Sequence, residues 1–596
     1  MWTACLCLSF GCLVAAVLLS VIMGSTGLNR KWGWNLFHVL VAGVFCGTLI
    51  LFLPVHSGGT VEDLLALWRT ALLSVFTSIQ VFAAGCEFGQ ITENMASCPE
   101  GLVPLYTAWS ATLYVLAPVF TFGFILSLFR NLTAYLRYLS VCFRDVYIFS
   151  DLNEGSMALA EDIRKNHPDA AVVFTDVFEE NEEQSFELVE QAGKIGAICF
   201  KKDILVVNFG RHSGRRNLFF FTIGSDETEN LNQALKLIER YRNRDNTHIY
   251  VFSNKVESEL LLTAVDKGRI RVRRINQAQS LINRVLYEDG KTLFDHASPG
   301  TDGEKELSAV VVGMGQHGCG MIKALSWFGQ MDGYRVRIHG FDQDPMAEEK
   351  FTALAPELMD PDYNGVYVPG EAQYFIRIHS GLDVDTASFA EEIMKLKNAS
   401  YVLVALGSDD ANINAAVRLR MLFERVGTHP VIHAIVYNSQ QRKALTGIRN
   451  YRGQAYDITF IGDLESSFTE KVIIDSELEA DALRRHLKWG AEEEFWTYEY
   501  NYRSSVASAI HMRARIHCKI PGADKTEEML TEQERDGIEV LEHRRWNAYM
   551  RSEGYVFSGS TDKKSRNDLA KMHHDLVNFA DLSEEEKRKD SSVGTF

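Results

Sequence analysis

The chain has 596 residues, 46% of them hydrophobic, and a formal net charge of −17 at pH 7. Residues 1–150 carry six basic and six acidic side chains, so the whole of that charge lies in the remainder. An acidic soluble part excludes nucleic acid as a partner, because such binding relies on neutralising phosphates with Lys and Arg, but leaves room for a small nucleotide held by backbone N–H groups. The length predicts three or four domains.

Four membrane spans are predicted, at about residues 3–23, 34–54, 64–85 and 104–129. Met1–Asn29, Gly33–Thr60 and Gly101–Phe129 contain no charged residue, and each exceeds the roughly 20 apolar residues that cross a bilayer. The third span is weaker because it contains Arg69, placed near one end where it can snorkel. A cleaved signal peptide is the competing reading of the first segment. The loop Cys86–Glu100 has three acids and no Lys or Arg, whereas Arg130, Arg137 and Arg144 follow the last span. The positive-inside rule then predicts a multi-pass protein of the cell membrane with cytoplasmic soluble domains, broken once by Arg30 and Lys31. None of the ten cysteines has metal-ligand spacing, so no metal site is expected. Cys86 and Cys98 share the outer loop and form the one candidate disulfide.

After a basic linker at 131–144 the chain alternates strands and helices with doubly wound periodicity, twice over. The first unit, 145–300, has predicted strands at Asp145–Phe149, Ala170–Thr175, Leu218–Ile223 and His248–Ser253. The second, 301–475, has them at Ala309–Val312, Tyr334–Phe341, Tyr374–His379, Tyr401–Leu406 and Val431–Tyr437. Similar polar turns, Gly224-Ser225-Asp226-Glu227 and Gly407-Ser408-Asp409-Asp410, point to a duplication with one residue of slippage. In the second unit a glycine turn spaced G-x-G-x-x-G (Gly313, Gly315, Gly318) follows an apolar strand, and Asp342 and Asp344 end the next one. This is the dinucleotide fingerprint: glycines let the backbone approach a pyrophosphate at a helix N-terminus, and an acid holds a ribose hydroxyl. The first unit has Ser150, Leu152 and Gly155 there and reads as a degenerate site or only a dimerisation partner, with Asp151 repelling phosphate.

Gly313-Met314-Gly315-Gln316-His317-Gly318, the strand end Phe341-Asp342-Gln343-Asp344 and the turn Gly407-Ser408-Asp409-Asp410-Ala411-Asn412 together resemble the TrkA-N or RCK domains that regulate potassium channels and transporters. The resemblance implies binding of NAD(H) or another adenine nucleotide, including a cyclic one, by Gly313, Gly315, Gly318, Asp342, Asp344, Gly407, Ser408 and Asp409. It also implies homo-oligomers, dimeric or tetrameric. A helical connector at 476–530 leads to a module at 531–596, whose Glu542-His543-Arg544-Arg545-Trp546, Gly554-Tyr555 and Lys571-Met572-His573-His574-Asp575-Leu576-Val577-Asn578-Phe579 resemble the ryanodine-receptor repeat (RyR) domain. Its usual prolines are replaced by His574 and Asn578. Arg544, Arg545, Trp546 and His573 are its candidate ligand residues, offering cations and an aromatic plane to a phosphorylated adenine ligand.

The predicted fold class is thus a four-span helical bundle, two doubly wound α/β units and a small helical domain. No G-x-S-x-G, H-E-x-x-H or P-loop motif is present, and no substrate domain is recognisable, so no enzyme and no catalytic residue is expected. The reading is a nucleotide-sensing membrane protein, a ligand-gated ion channel or membrane effector. A non-conducting regulatory subunit of a potassium or cation transporter and a membrane-tethered NAD-dependent oxidoreductase are the alternatives. The loop Cys86–Val103 lacks a T-V-G-Y-G filter, so potassium selectivity is not supported.

Overall fold

Apolar length alone dictates the N-terminal unit, Met1–Ser140. The computed structural model describes every residue except 27–35, 59, 61–62, 86–87, 94, 142, 178–182, 210–215, 301–302, 361–373, 447–449 and 596. Helices Trp2–Thr26, Leu36–Ser57, Leu64–Phe82 and Val103–Ser140 contain four stretches long and apolar enough to cross a membrane: Trp2–Ser20, Val39–Ser57, Leu64–Phe82 and Val103–Phe122. Asp63 starts the third by accepting the Ala66 N–H at 2.6 Å. Small residues bring the first two helices together: a Cβ on Gly43 would lie 2.3 Å from that of Ala16. Ser9 donates to the Gly47 carbonyl and accepts from the Trp109 indole, tying three helices through one hydroxyl. The last helix runs on to Ser140, so most of the predicted linker 131–144 is helical; from Phe124 to Ser140 there is no Gly or Pro to stop it. The predicted Cys86–Cys98 pairing lies outside the described residues at Cys86.

Residues 141–596 form one compact unit built on two parallel sheets. The first comprises β1 (Val146–Phe149), β2 (Ala171–Phe174), β3 (Ile198–Cys199), β4 (Leu218–Thr222), β5 (Thr247–Phe252) and β6 (Arg271–Ile275), in the order β3-β2-β1-β4-β5-β6. In the second, β7 (Lys305–Val312), β8 (Tyr334–Asp342), β9 (Tyr374–Ser380), β10 (Ala399–Val404), β11 (Val431–Ile435) and β12 (Ile458–Ile461) follow the same plan, β9-β8-β7-β10-β11-β12. In both, strand order reverses beside the first strand, which opens a crevice at the carboxyl edge. Every residue of β1, β2, β4 and β10 is buried, as expected of strands covered on both faces.

Sequence periodicity did not reveal β3, β6 or β12. The reason is clearest at β6, Arg-Val-Arg-Arg-Ile, which reads as a charged loop. Its arginines are neutralised from the connector: Arg273 pairs with Glu479 and Arg274 with Glu499. The two units also share a latch. Asn230 accepts the Gly224 N–H and donates to the Phe252 carbonyl, just as Asn412 accepts from Leu406 and donates to Ile435. The latch aligns Ser225 with Gly407, which resolves the one-residue slippage between the turns.

The connector helices Glu477–His486 and Glu499–His517, with the C-terminal helix Glu532–Ser552, share one apolar core with β7, β8 and the helix Gln316–Phe328. Helix Glu584–Gly594 then starts at Ser583, whose hydroxyl accepts the Glu586 N–H. The Glu586 side chain itself pairs with Lys563 and Lys589.

Candidate functional site

The glycine turn of the second unit has the geometry its spacing predicts. Gly313 adopts φ +95°, and a Cβ there would sit 2.3 Å from the Ala405 carbonyl oxygen; a Cβ on Gly318 would sit 1.8 Å from that of Gly313. Neither position admits a side chain. Gly315 is different: nothing lies within 4 Å of its Cβ direction, and it caps helix Gln316–Phe328 with no side chain bonded to the helix end. That leaves open space before uncapped N–H groups, where an anionic group fits.

Asp342 ends β8 beside this turn and accepts N–H groups from Met314 at 2.6 Å and Asp344 at 2.8 Å, one on each carboxylate oxygen. Each oxygen keeps a lone pair for a ribose hydroxyl. Asp344 is instead taken up by its own loop, accepting from the Met346 N–H and pairing with exposed Lys350, which holds its carboxyl below the usual range. Gly407 adopts φ +87°, Ser408 caps the helix Asp409–Arg425, and the Asp409 carboxylate accepts the N–H groups of Tyr437 and Asn438. Ser408 and Asp409 therefore brace the turn after β10.

In the first unit the corresponding crevice is a cavity of about 560 Å³ at the carboxyl ends of β1, β4, β5 and β6. Part of its lining comes from the second unit: Gln316, His317, Tyr437 and the segment around Leu464–Ile473. Phe468 stacks on Phe252 with ring centroids 5.8 Å apart, and its ring atoms come within 3.0 Å of the Cβ position of Gly155. The place a phosphate takes in an intact turn is thus filled by the chain itself.

A second cavity, of about 640 Å³, lies between the connector and the C-terminal module. Of the four predicted residues, Arg545, Trp546 and His573 line it. Arg544 does not: it points away and pairs with Asp332 at 2.6 Å, because successive helical residues are turned about 100° from one another. Trp546 stands between His543 and His573, at 5.9 and 5.0 Å between ring centroids. Burial, then nearby Arg566, push the His573 imidazole down to about 3, so it is neutral at physiological pH. The nitrogens of His543 are engaged by the Val577 carbonyl and Asp590.

The chemistry of this cavity centres on Glu542. Its carboxylate, 2% exposed, is shared by Arg515 and Arg545, each 1% exposed, with Arg485, 7% exposed, in the same cluster. Burial raises the Glu542 carboxyl, but the three guanidinium groups outweigh it and hold it down to about 2. Three buried cations thus share one carboxylate. Arg545 spends Nε and Nη2 on Glu542, while its buried Nη1 has no acceptor among the described residues. Arg485 has no carboxylate of its own among the described residues; it donates to Ser508 and to the Val593 and Thr595 carbonyls, and burial lowers it to about 10. Lys488 faces the same carbonyl-lined end and is lowered by burial to about 8.

Arg485 and Lys488 were missed by the sequence reading. Their only signal is Arg484-Arg485-His486-Leu487-Lys488-Trp489, a basic run with an aromatic in an acidic part of the chain. His573, His574 and Asp575 bring possible metal-ligating atoms within 4.8 Å of one another. His573 Nδ1 is already bonded to the Asp575 N–H, and seven Lys and Arg side chains line the cavity against the four carboxylates of Glu542, Asp575, Glu586 and Asp590, so the local field favours an anion over a metal ion.

A buried relay joins this cavity to the glycine-turn helix. Arg515 donates from Nε to His511 Nδ1 at 2.8 Å, and His511 Nε2 donates to the Gln330 carbonyl at 2.8 Å, just beyond helix Gln316–Phe328. Complete burial, and then Arg515 and the neighbouring Arg545, push the His511 imidazole well below its usual range and keep it neutral. Compared with models of known protein families and with curated proteins, the chain matches none.

Proposed function

We propose that this protein is a membrane-embedded sensor of an anionic nucleotide, acting as a ligand-gated channel or membrane effector. The observation that carries the reading is the excess of buried positive charge at the C-terminal cavity: three guanidinium groups around Glu542, an unsatisfied Arg545 Nη1, and Trp546 as an aromatic surface. Burying unbalanced charge is costly, and a phosphorylated ligand supplies the missing negative charge while its base lies against Trp546. The glycine turn with Asp342 is a second place for an adenine nucleotide, such as NAD(H), an adenosine phosphate or a cyclic nucleotide. The relay through Arg515, His511 and Gln330 is the physical connection by which one site biases the other. A ligand shifts a membrane segment only insofar as it binds two conformations unequally. The RCK-like and RyR-like character of the domains belongs to this proposal, as does assembly into dimers or tetramers.

The test is thermal unfolding of the full-length protein in detergent micelles with NAD, NADH, ATP, ADP, AMP and cyclic mono- and oligonucleotides. A ligand at 100 times its dissociation constant adds about 2.7 kcal/mol to the native state. A shift lost in Arg545→Ala and kept in Gly315→Asp places the sensor at the C-terminal cavity; the converse places it at the glycine turn. No shift with any nucleotide overturns the proposal. Ion flux through liposomes carrying the protein then separates channel from effector.

A further inference from the structure

We propose that the cavity of the first α/β unit is a separate ligand site, and that it takes an unphosphorylated nucleoside. The sequence reads this unit as a spent nucleotide site. The fold nevertheless leaves about 560 Å³ at its switch point, within the roughly 300–1,000 Å³ of small-molecule sites. Two features of its chemistry exclude phosphate. The Phe468 ring fills the approach to Gly155. Asp151, Glu154 and Glu227 line the cavity against one guanidinium, that of Arg284, so the surroundings carry excess negative charge.

The same features suit a neutral, hydroxylated ligand with a flat base. Carboxylates of Asp151 and Glu154 accept ribose hydroxyls, the task an acid performs in a dinucleotide site. Phe252 and Phe468 form an aromatic wall, and Arg284 and Gln277 supply donors for a base edge. Because Gln316 and His317 complete the lining, the site directly abuts the residues that follow Gly315 in the second unit.

The experiment is isothermal titration of the full-length Arg545→Ala, Gly315→Asp double variant in detergent micelles with adenosine, guanosine and AMP. These two substitutions keep binding at the cationic cavity and at the glycine turn out of the reading, so the two proposals fail separately. Adenosine or guanosine binds, AMP binds at least about tenfold more weakly, and adding Leu281→Trp, which fills the cavity, abolishes the heat. Adding Asp151→Asn instead narrows the preference over AMP to within about threefold, a result that stands even if the Trp variant fails to fold. Absence of binding by both nucleosides, equal binding of AMP, binding that survives Leu281→Trp, or an unchanged preference in Asp151→Asn overturns the proposal.

Discussion

Replacing Glu542 with Gln tests the electrostatic core of the C-terminal cavity. The substitution keeps the shape of the side chain and removes the one carboxylate among Arg485, Arg515 and Arg545. Folding moves this carboxyl from an ordinary 4.5 to about 2. A depression of that size is worth on the order of 3 kcal/mol. Since the folded value is depressed, that stability is fully present above pH 4.5 and is lost as pH falls toward 2. Direct removal of one partner from a buried ion pair costs about 3–5 kcal/mol, a figure of the same size. Hydrogen exchange of the Glu532–Ser552 backbone, followed by mass spectrometry on the full-length protein at pH 7, reads this locally. Exchange through subglobal opening accelerates by about 10²- to 10³-fold. Saturating ATP restores more protection to the variant than to the wild type, because it replaces the missing negative charge. Acceleration of less than about tenfold refutes the picture of three cations leaning on one carboxylate.

Three further predictions address other parts of the chain. Gly315→Ala keeps the unfolding temperature of the wild type, since its Cβ meets open space, whereas Gly318→Ala destabilises by more than about 3 kcal/mol because it collides with the Gly313 carbonyl; equal unfolding temperatures refute the assignment of these turns. His511→Gln leaves donors or acceptors of Arg515 and Gln330 unsatisfied and costs about 2–3 kcal/mol at pH 7.5. The wild-type imidazole stays neutral when folded but titrates near 6.5 when unfolded, so its contribution falls by up to about 1.4 kcal/mol per unit as pH drops below 6.5. Denaturant titrations of both proteins between pH 7.5 and 5 should therefore converge; a constant gap contradicts the buried neutral state. In the N-terminal unit, Gly43→Val forces apart the helices that meet at Ala16, and a tryptic digest in micelles should cut the variant faster than the wild type; equal rates argue against that close contact.

Much of the architecture was legible because it depends on patterns local to the chain. Uncharged runs of 28 or 29 residues announced three of the helices long and apolar enough to cross a membrane, and short buried apolar runs announced the inner strands of both sheets. The glycine turn was equally readable, since backbone approach at Gly313 and Gly318 admits no other residue. Edge strands such as β6 were not, because their arginines acquire partners only when the connector folds against them.

Tertiary structure decided the sites. Nothing in the order of residues says that Arg485, Arg515 and Arg545 converge on Glu542, since the first lies 57 residues from the last named. Whether a cation is paired depends on distances set by packing, and adjacent Arg544 and Arg545 show it: one meets Asp332, the other turns into the cavity with a buried donor to spare. The first unit makes the same point from the opposite side. Its lost glycines were plain in the sequence, but the cavity that persists there, with Phe468 of a distant segment in its wall, exists only because the second unit folds over the first. Short-range sterics and apolar periodicity act within a few residues and can be read from a string; electrostatic partnership and enclosed space belong to the assembled core.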